Sequence, residues 1–233
     1  MKIDPKLRRH ALQSAVALLE TARNPASVVV HALPVLKMVD ESALGKITRS
    51  CLLEDPELRE LAAVRYQREW PDPVEMRAMP EGSLGRLHQD RFDRLGLHAL
   101  PPLEINDGLD DGAYLQKRRL TTHDIHHTVF ALPISVAGEA AGASYYAAAL
   151  NEFGSGAILS AWMFHAMENP QESRLIWEGV RFGLDLAAQV GKRLLAMRWE
   201  EGWSEPITVW RDRLGITDLL HSTPFPEELE RLS

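Results

Sequence analysis

A single cysteine, Cys51, stands in this chain of 233 residues. One thiol excludes both a disulfide framework within the chain and a thiolate zinc cluster. Flanked by Leu52 and Leu53, it is expected to be a small buried hydrophobe rather than a nucleophile. Long hydrophobic runs are missing too: none approaches the roughly 20 apolar residues that a membrane-spanning helix needs. Nor is there an excess of positive charge. The chain carries 26 Lys and Arg against 33 Asp and Glu, a formal net charge of -7, so no nucleic-acid partner is expected. Period-two alternation is scarce; Val28-Val29-Val30 is the most strand-like run, and Pro34 cuts it short. Internal repeats and low-complexity tracts are absent.

What remains is a 45% hydrophobic, 25% charged composition, that of an ordinary soluble globular protein long enough for a sizeable core. Lys6, Arg8 and Arg9 ahead of an apolar stretch superficially resemble a targeting peptide. Asp4 and Glu20 are acidic, however, and Gln13 and Ser14 interrupt the stretch. The segment therefore reads as a folded amphipathic helix with Leu12, Ala15, Val16, Leu18 and Leu19 on one stripe. With no signal peptide and no transmembrane helix, a cytoplasmic protein of a bacterium is expected.

Apolar spacing is helical almost everywhere. Helices are predicted over 5–22 and 41–51. Asp55-Pro56-Glu57 opens another through Arg65, with Asp55 as cap and Pro56 in the first turn. Ser83 caps a helix to about Arg94, stopped by Gly96. A long loop is expected over 98–112. Thr121 or Thr122 then caps a helix that Pro133 breaks or kinks. Further helices are expected up to Leu150, over 157–167 and 171–199, and from Pro206 to just before Gly215. The prediction is an all-α, single-domain, bundle-like fold over 1–233, with a loosely packed tail at 217–233.

The densest chemistry lies at His123-Asp124-Ile125-His126-His127, followed twelve residues after His127 by Glu139. Imidazoles four residues apart stand one above the other on one helix face, so His123 and His127 can point at one ion. Asp124 adds an oxygen donor beside the first, and Glu139 can reach back across a Pro133 kink. Imidazole and carboxylate together suit zinc, iron, manganese or a similar divalent ion. The residues between (Val129, Phe130, Leu132, Ile134, Val136, Ala137) are apolar. Two carboxylates buried there are costly unless a cation neutralises them. The bland alternative is a pair of buried neutral imidazoles in a chain with nine histidines. His126 lies about 100° around the helix from His127, and reads as a surface or supporting histidine.

Other metal families fit poorly. Asp124 is too short for the glutamate of H-E-x-x-H. An HD-type phosphohydrolase would need His88 or His98 and a distant Asp185, with no local support. A ferritin-like site needs two Glu-x-x-His units, and none is present.

The motif has companions: Pro80-Glu81-Gly82-Ser83-Leu84-Gly85, Ala131-Leu132-Pro133, Gly138-Glu139-Ala140, Trp199-Glu200 and Arg211-Asp212-Arg213-Leu214-Gly215-Ile216. With His123, Asp124, His127 and Glu139 as H-D-x-x-H, eleven residues and E, the chain resembles the Coq-four family of coenzyme Q (ubiquinone) biosynthesis over about 50–216. The first fifty residues, Ala131 and the segment 142–146 depart from the family's usual text. The resemblance implies an all-helical fold and one divalent ion bound by His123, Asp124, His127 and Glu139, with Asp124 and His127 at the chemistry. Zinc is the first choice; iron, manganese, cobalt and magnesium are alternatives. It further implies oxidative decarboxylation of a polyprenylated hydroxybenzoate ring. The alternatives are an isoprenoid-lipid-binding scaffold for other quinone-biosynthesis enzymes, or a relative in another aromatic pathway. Implied partners are a prenylated aromatic molecule, those enzymes, a peripheral contact at the inner membrane, and a second copy in a homodimer.

Arg118 or Arg119 could orient an anionic headgroup, or simply form a solvated basic run. Trp162, Met163, Phe164, Met167, Ala188, Leu194, Leu195 and Met197 are candidates for a prenyl groove, against ordinary core. Trp199, Trp203 and Trp210 could anchor at a membrane interface or pack inside.

Overall fold

The computed structural model describes residues 5–28, 43–97 and 109–233. Val29, Val30, His98 and most of the loop expected over 98–112 lie outside them. Among the described residues, regular structure is helical, apart from one isolated antiparallel bridge between Ser83 and Pro206. The expected fold class is therefore observed. The α-helices are α1 (Pro5–Arg23), α2 (Ala43–Ser50), α3 (Pro56–Ala63), α4 (Pro73–Arg77), α5 (Leu84–Leu95), α6 (Asp111–Thr121) and α7 (His123–Phe130). They continue as α8 (Val136–Leu150), α9 (Phe153–Glu168), α10 (Pro170–Val190), α11 (Arg193–Ala196), α12 (Ile207–Leu214), α13 (Thr217–Leu220) and α14 (Pro226–Arg231). The chain divides into two compact units, one of 1–48 with 134–184, the other of 49–133 with 185–233.

In the second unit the expected caps are in place. Asp55 Oδ1 accepts from the Glu57 and Leu58 amides at 3.0 and 3.2 Å, and Pro56 opens α3. Ser83 Oγ accepts from Arg86 N at 3.4 Å, and Gly96 ends α5 with a left-handed φ of 64°. The first amides of α5 go further afield: Leu84 N donates to Glu205 O at 2.9 Å and Gly85 N to Trp203 O at 2.8 Å. Ile207 N returns a bond to Gly82 O at 2.9 Å. The starts of α5 and α12 thus satisfy one another's orphan groups. Gly85 eases the approach, because a Cβ there would stand 3.2 Å from the Trp203 carbonyl oxygen and would displace the Met79 side chain.

Helix α6 occupies residues that begin within the expected loop; Asp110 caps it, accepting from Ala113 N at 2.7 Å. The core of this unit holds Leu58, Leu84, Tyr114, Leu115, Ile125 and Trp199, all essentially inaccessible. Each large apolar side chain of this kind contributes roughly 1.5–3 kcal/mol by leaving water. The tail is better packed than its composition suggested: Leu220, Phe225 and Leu232 are buried. Leu232 joins Leu87, Ala131 and Ile207 in one apolar cluster.

In the first unit, α9 packs against α8 and α1. Helix α8 is lined by Ala137, Gly138, Ala140, Ala141, Gly142, Ala143 and Ser144, all buried, which lets backbones approach closely. Gly183 of α10 is such an approach: a Cβ there would overlap the Ala141 carbonyl and Ser144 Oγ. Helix α1 forms as expected, but Leu12, Val16 and Leu19 of its apolar stripe are exposed. Periodicity says which side chains share a face, not whether anything covers it.

Candidate metal centre

Helix α7 is only eight residues long, and its two ends are built differently. Thr122 stands at the N-cap, but its hydroxyl donates to Arg118 O at 2.9 Å and caps nothing, contrary to expectation. Asp124, in the first turn, offers the helix dipole a negative charge instead. At the other end the chain turns sharply rather than kinking. Ala131 adopts a left-handed conformation (φ 52°, ψ 46°), Ala131 N donates to Thr128 O and Leu132 N to His127 O. This is a Schellman stop with alanine in the position usually given to glycine. Guanidinium groups cover carbonyls on either side of it: Arg211 Nε donates to Val129 O at 3.0 Å and Arg91 to Leu132 O at 2.6 Å.

His123 and His127 come together as the spacing demands. Their ring centroids are 4.5 Å apart, and a ligand nitrogen of one lies within 4.8 Å of one of the other. Their hydrogen-bond partners fix the tautomers. His127 Nδ1 lies 3.2 Å from the Leu132 carbonyl, which can only accept, so that nitrogen carries the proton and Nε2 keeps a lone pair. His123 Nδ1 lies 3.4 Å from the Asp124 carboxylate, with the same consequence. In both imidazoles Nε2 is therefore the nitrogen that keeps a lone pair.

Electrostatics agree with a neutral His127. Burial, reinforced by His123 and Arg91, pushes the His127 imidazolium well below its ordinary range. Burial would raise the Asp124 carboxyl, but the His123 hydrogen bond and the charges of His123, His127 and His88 hold it at about 2. At neutral pH His127 thus keeps a lone pair and Asp124 is a carboxylate, donor types that suit a divalent cation. Glu139 stands in the first turn of α8, which Ser135 caps through Gly138 N at 3.3 Å.

The remaining candidates separate cleanly. His126 is buried rather than superficial, its ring 5.9 Å from that of Trp199. Arg118 is neither solvated nor available to a headgroup: it pairs with Glu200 at 2.7 Å and donates to Met197 O, both side chains under 5% exposed. Trp199, Trp203 and Trp210 are buried, so interfacial anchoring is replaced by packing. Among the groove candidates, Trp162, Leu194 and Leu195 are core, whereas Phe164 and Met167 are exposed. Sequence spacing gave no hint of Arg91 or the Leu132 carbonyl, and His88 was weighed only for an HD-type site, because these groups reach α7 through tertiary packing.

A family profile described as coenzyme Q (ubiquinone) biosynthesis protein Coq4 matches residues 42–219. The chain is 29% identical over 194 residues to the mitochondrial ubiquinone biosynthesis protein coq4 of Penicillium rubens, covering 75% of this chain and 65% of that protein. With the mitochondrial COQ4 homolog of Mus musculus it shares 25% identity over 197 residues, 81% of this chain and 69% of the relative. The chain thus spans about two thirds of the length of such relatives. A crystal structure from Nostoc punctiforme, of a protein whose name refers to ubiquinone biosynthesis, superposes with a TM-score of 0.74 at 20% identity. It covers 88% of this chain and 97% of that one, and at this identity it speaks for the fold. The word mitochondrial in the relatives' names does not fit the expectation of a bacterial inner membrane. No helix among the described residues is long and apolar enough to cross a membrane. The chain belongs to the coenzyme Q (ubiquinone) biosynthesis protein Coq4 family.

Proposed function

We propose that this chain is a metal-dependent enzyme of ubiquinone or related prenylquinone biosynthesis, acting in oxidative decarboxylation of a polyprenylated hydroxybenzoate ring. The observation that carries the reading is the histidine pair: two imidazoles one helical turn apart, each with Nδ1 committed to an acceptor. Nε2 of His123 and Nε2 of His127 would hold the ion, zinc in the first instance. Asp124 and Glu139 would complete the set, as the hard oxygen donors that the motif supplies. A bound divalent ion would supply Lewis acidity to a ring on which negative charge develops as carbon dioxide leaves. The side chains have simpler tasks. His127, held by Leu132 O, keeps its donor atom oriented, and Asp124 holds the His123 ring while adding negative charge beside the ion. Hydroxylation at the vacated carbon would draw on an external oxidant.

Metal analysis of purified protein tests the site. About one equivalent of ion is expected in the parent, with strong loss in His127→Ala and Asp124→Ala. Equal metal content and unchanged turnover in all three would overturn the reading.

A scaffold reading is favoured by a separate observation, the exposed apolar residues Leu12, Val16 and Leu19 on α1 and Phe164 and Met167 on α9. These suit an isoprenoid tail or peripheral contact with a membrane surface. Co-purifying prenyl lipid, with pathway function surviving in metal-free variants, would favour the scaffold over the enzyme.

A further inference from the structure

Helix α14 lies beyond the family match, which ends at residue 219. Its Glu228 is nonetheless among the most buried carboxylates of its unit, 5% exposed at the side chain, and is met by three guanidinium groups. Arg94 reaches it at 2.8 Å, Arg231 at 3.2 Å and Arg91 at 3.9 Å. Arg94 and Arg231 are partly exposed, whereas the Arg91 side chain is 3% exposed. A guanidinium so deeply buried needs a nearby anion, because an uncompensated charge in that position is strongly unfavourable.

The far end of Arg91 touches the candidate metal centre. Its Nη2 donates to the Leu132 carbonyl at 2.6 Å and lies 3.4 Å from His127 Nδ1. Since His127 Nδ1 donates to that same carbonyl at 3.2 Å, the 3.4 Å approach is between two donors sharing one acceptor. A carbonyl oxygen has two lone pairs and can take both. Leu232, just past α14, packs on Ala131 at the left-handed corner that aims this carbonyl.

We propose that α14 is a positioning element of the metal centre: Glu228 holds Arg91 against the Leu132 carbonyl, and that carbonyl fixes the ring of His127 with Nε2 turned to the ion. The inference rests on the metal reading above. It makes Glu228 and Arg91 positioning residues, since neither would supply a ligand atom, and it gives a segment outside the family signature a share in metal affinity. The chemistry is that of an acceptor supporting a ligand imidazole, whose loss typically lowers metal affinity roughly 10- to 100-fold.

Cobalt(II) titration of the metal-free full chain, followed by its visible absorption and by competition with a chromophoric chelator, tests this. Glu228→Gln and Arg91→Lys are both expected to bind cobalt roughly 10- to 100-fold more weakly than the parent, with a shifted visible band and unchanged helical circular dichroism. Glu227→Gln, at an exposed carboxylate paired with Arg231, is the control and should match the parent. Parent-like affinity and band in Glu228→Gln and Arg91→Lys would overturn the inference. Loss of helical signal in them would assign the contact to folding, and overturn it equally. If the parent itself binds no cobalt, the metal reading has failed first, a result distinct from either.

Discussion

His88 donates through Nδ1 to the Thr128 hydroxyl at 3.3 Å, and that hydroxyl gives its own proton to the Asp124 carbonyl at 3.0 Å. The side chain of α5 thereby braces the middle of α7. Burial pushes the His88 imidazolium down to about 4, with Asp124 opposing the shift and Arg91 adding to it.

The sign of the resulting pH dependence is fixed. Between about 4 and the ordinary 6.5 the unfolded chain binds the proton that folded His88 refuses, so stability rises with pH across that window. The contribution is complete above about 6.5 and is lost as pH falls toward 4, amounting to about 3 kcal/mol. Urea unfolding in chelator, compared at pH 7 and pH 4.5, should show a shallower dependence in His88→Gln than in the parent. Coincident slopes would place the titration elsewhere.

Gly183→Ala should destabilise the first unit even though alanine is the better helix former. Propensity favours the change by about 1 kcal/mol. Overlap with the Ala141 carbonyl and Ser144 Oγ opposes it, and forced repacking of this kind costs about 1–3 kcal/mol. The backbone carbonyl cannot rotate away, so a net loss is expected in thermal unfolding. A rise in melting temperature would refute the close approach.

At Ala131 the balance is different. Left-handed backbone costs a residue with a Cβ about 1–2 kcal/mol, which glycine would avoid. Against this, Ala131→Gly frees the unfolded chain and removes a buried methyl. Ala131→Gly should therefore lie within about 1 kcal/mol of the parent. Ala131→Val, β-branched at the same φ, should lose about 2 kcal/mol or more. Chemical denaturation orders the three, and a valine variant as stable as the glycine one would contradict the assigned conformation.

Arg118 and Glu200 form a buried pair, so breaking it from one side leaves an uncompensated charge. Glu200→Ala should cost about 3–5 kcal/mol, and Arg118→Met with Glu200→Leu should cost less than the sum of the two single changes. A double-mutant cycle reads the coupling directly. Additive losses would mean that the two side chains act independently.

Local chemistry was legible where a residue acts on its own backbone. Asp55-Pro56-Glu57, Ser83 with Gly96, and Gly215 after α12 all do what their side chains or lack of them require. The histidine pair was legible for the same reason, since four-residue spacing fixes a common face. Thr122 was misread because a threonine hydroxyl can turn back to the preceding helix, and its partner there, Arg118 O, belongs to a helix that sequence reading left in a loop at its start. The three tryptophans were undecided, and the tail was misread as loose, for a different reason. Their burial depends on tertiary neighbours, such as Trp199 against Trp210 at 4.9 Å and Leu232 in one cluster with Ala131, that no local pattern encodes. Arg91 and Glu228 lie 137 positions apart and meet only in the folded unit.

The clasp between 82–85 and 203–207 carries a consequence for the order of events during synthesis. The opening amides of α5 find their acceptors at Glu205 and Trp203, residues translated about 120 positions later. Until those emerge, the start of α5 must keep water as its partner, and the turn containing Gly82 has no strand-like bridge to settle against. Helices α5 and α7 can form early, but the carbonyls that finish α5 arrive much later. A growing chain therefore holds this part of its fold open until residues 203–205 have left the ribosome, and that interval is when helper proteins would have most to protect.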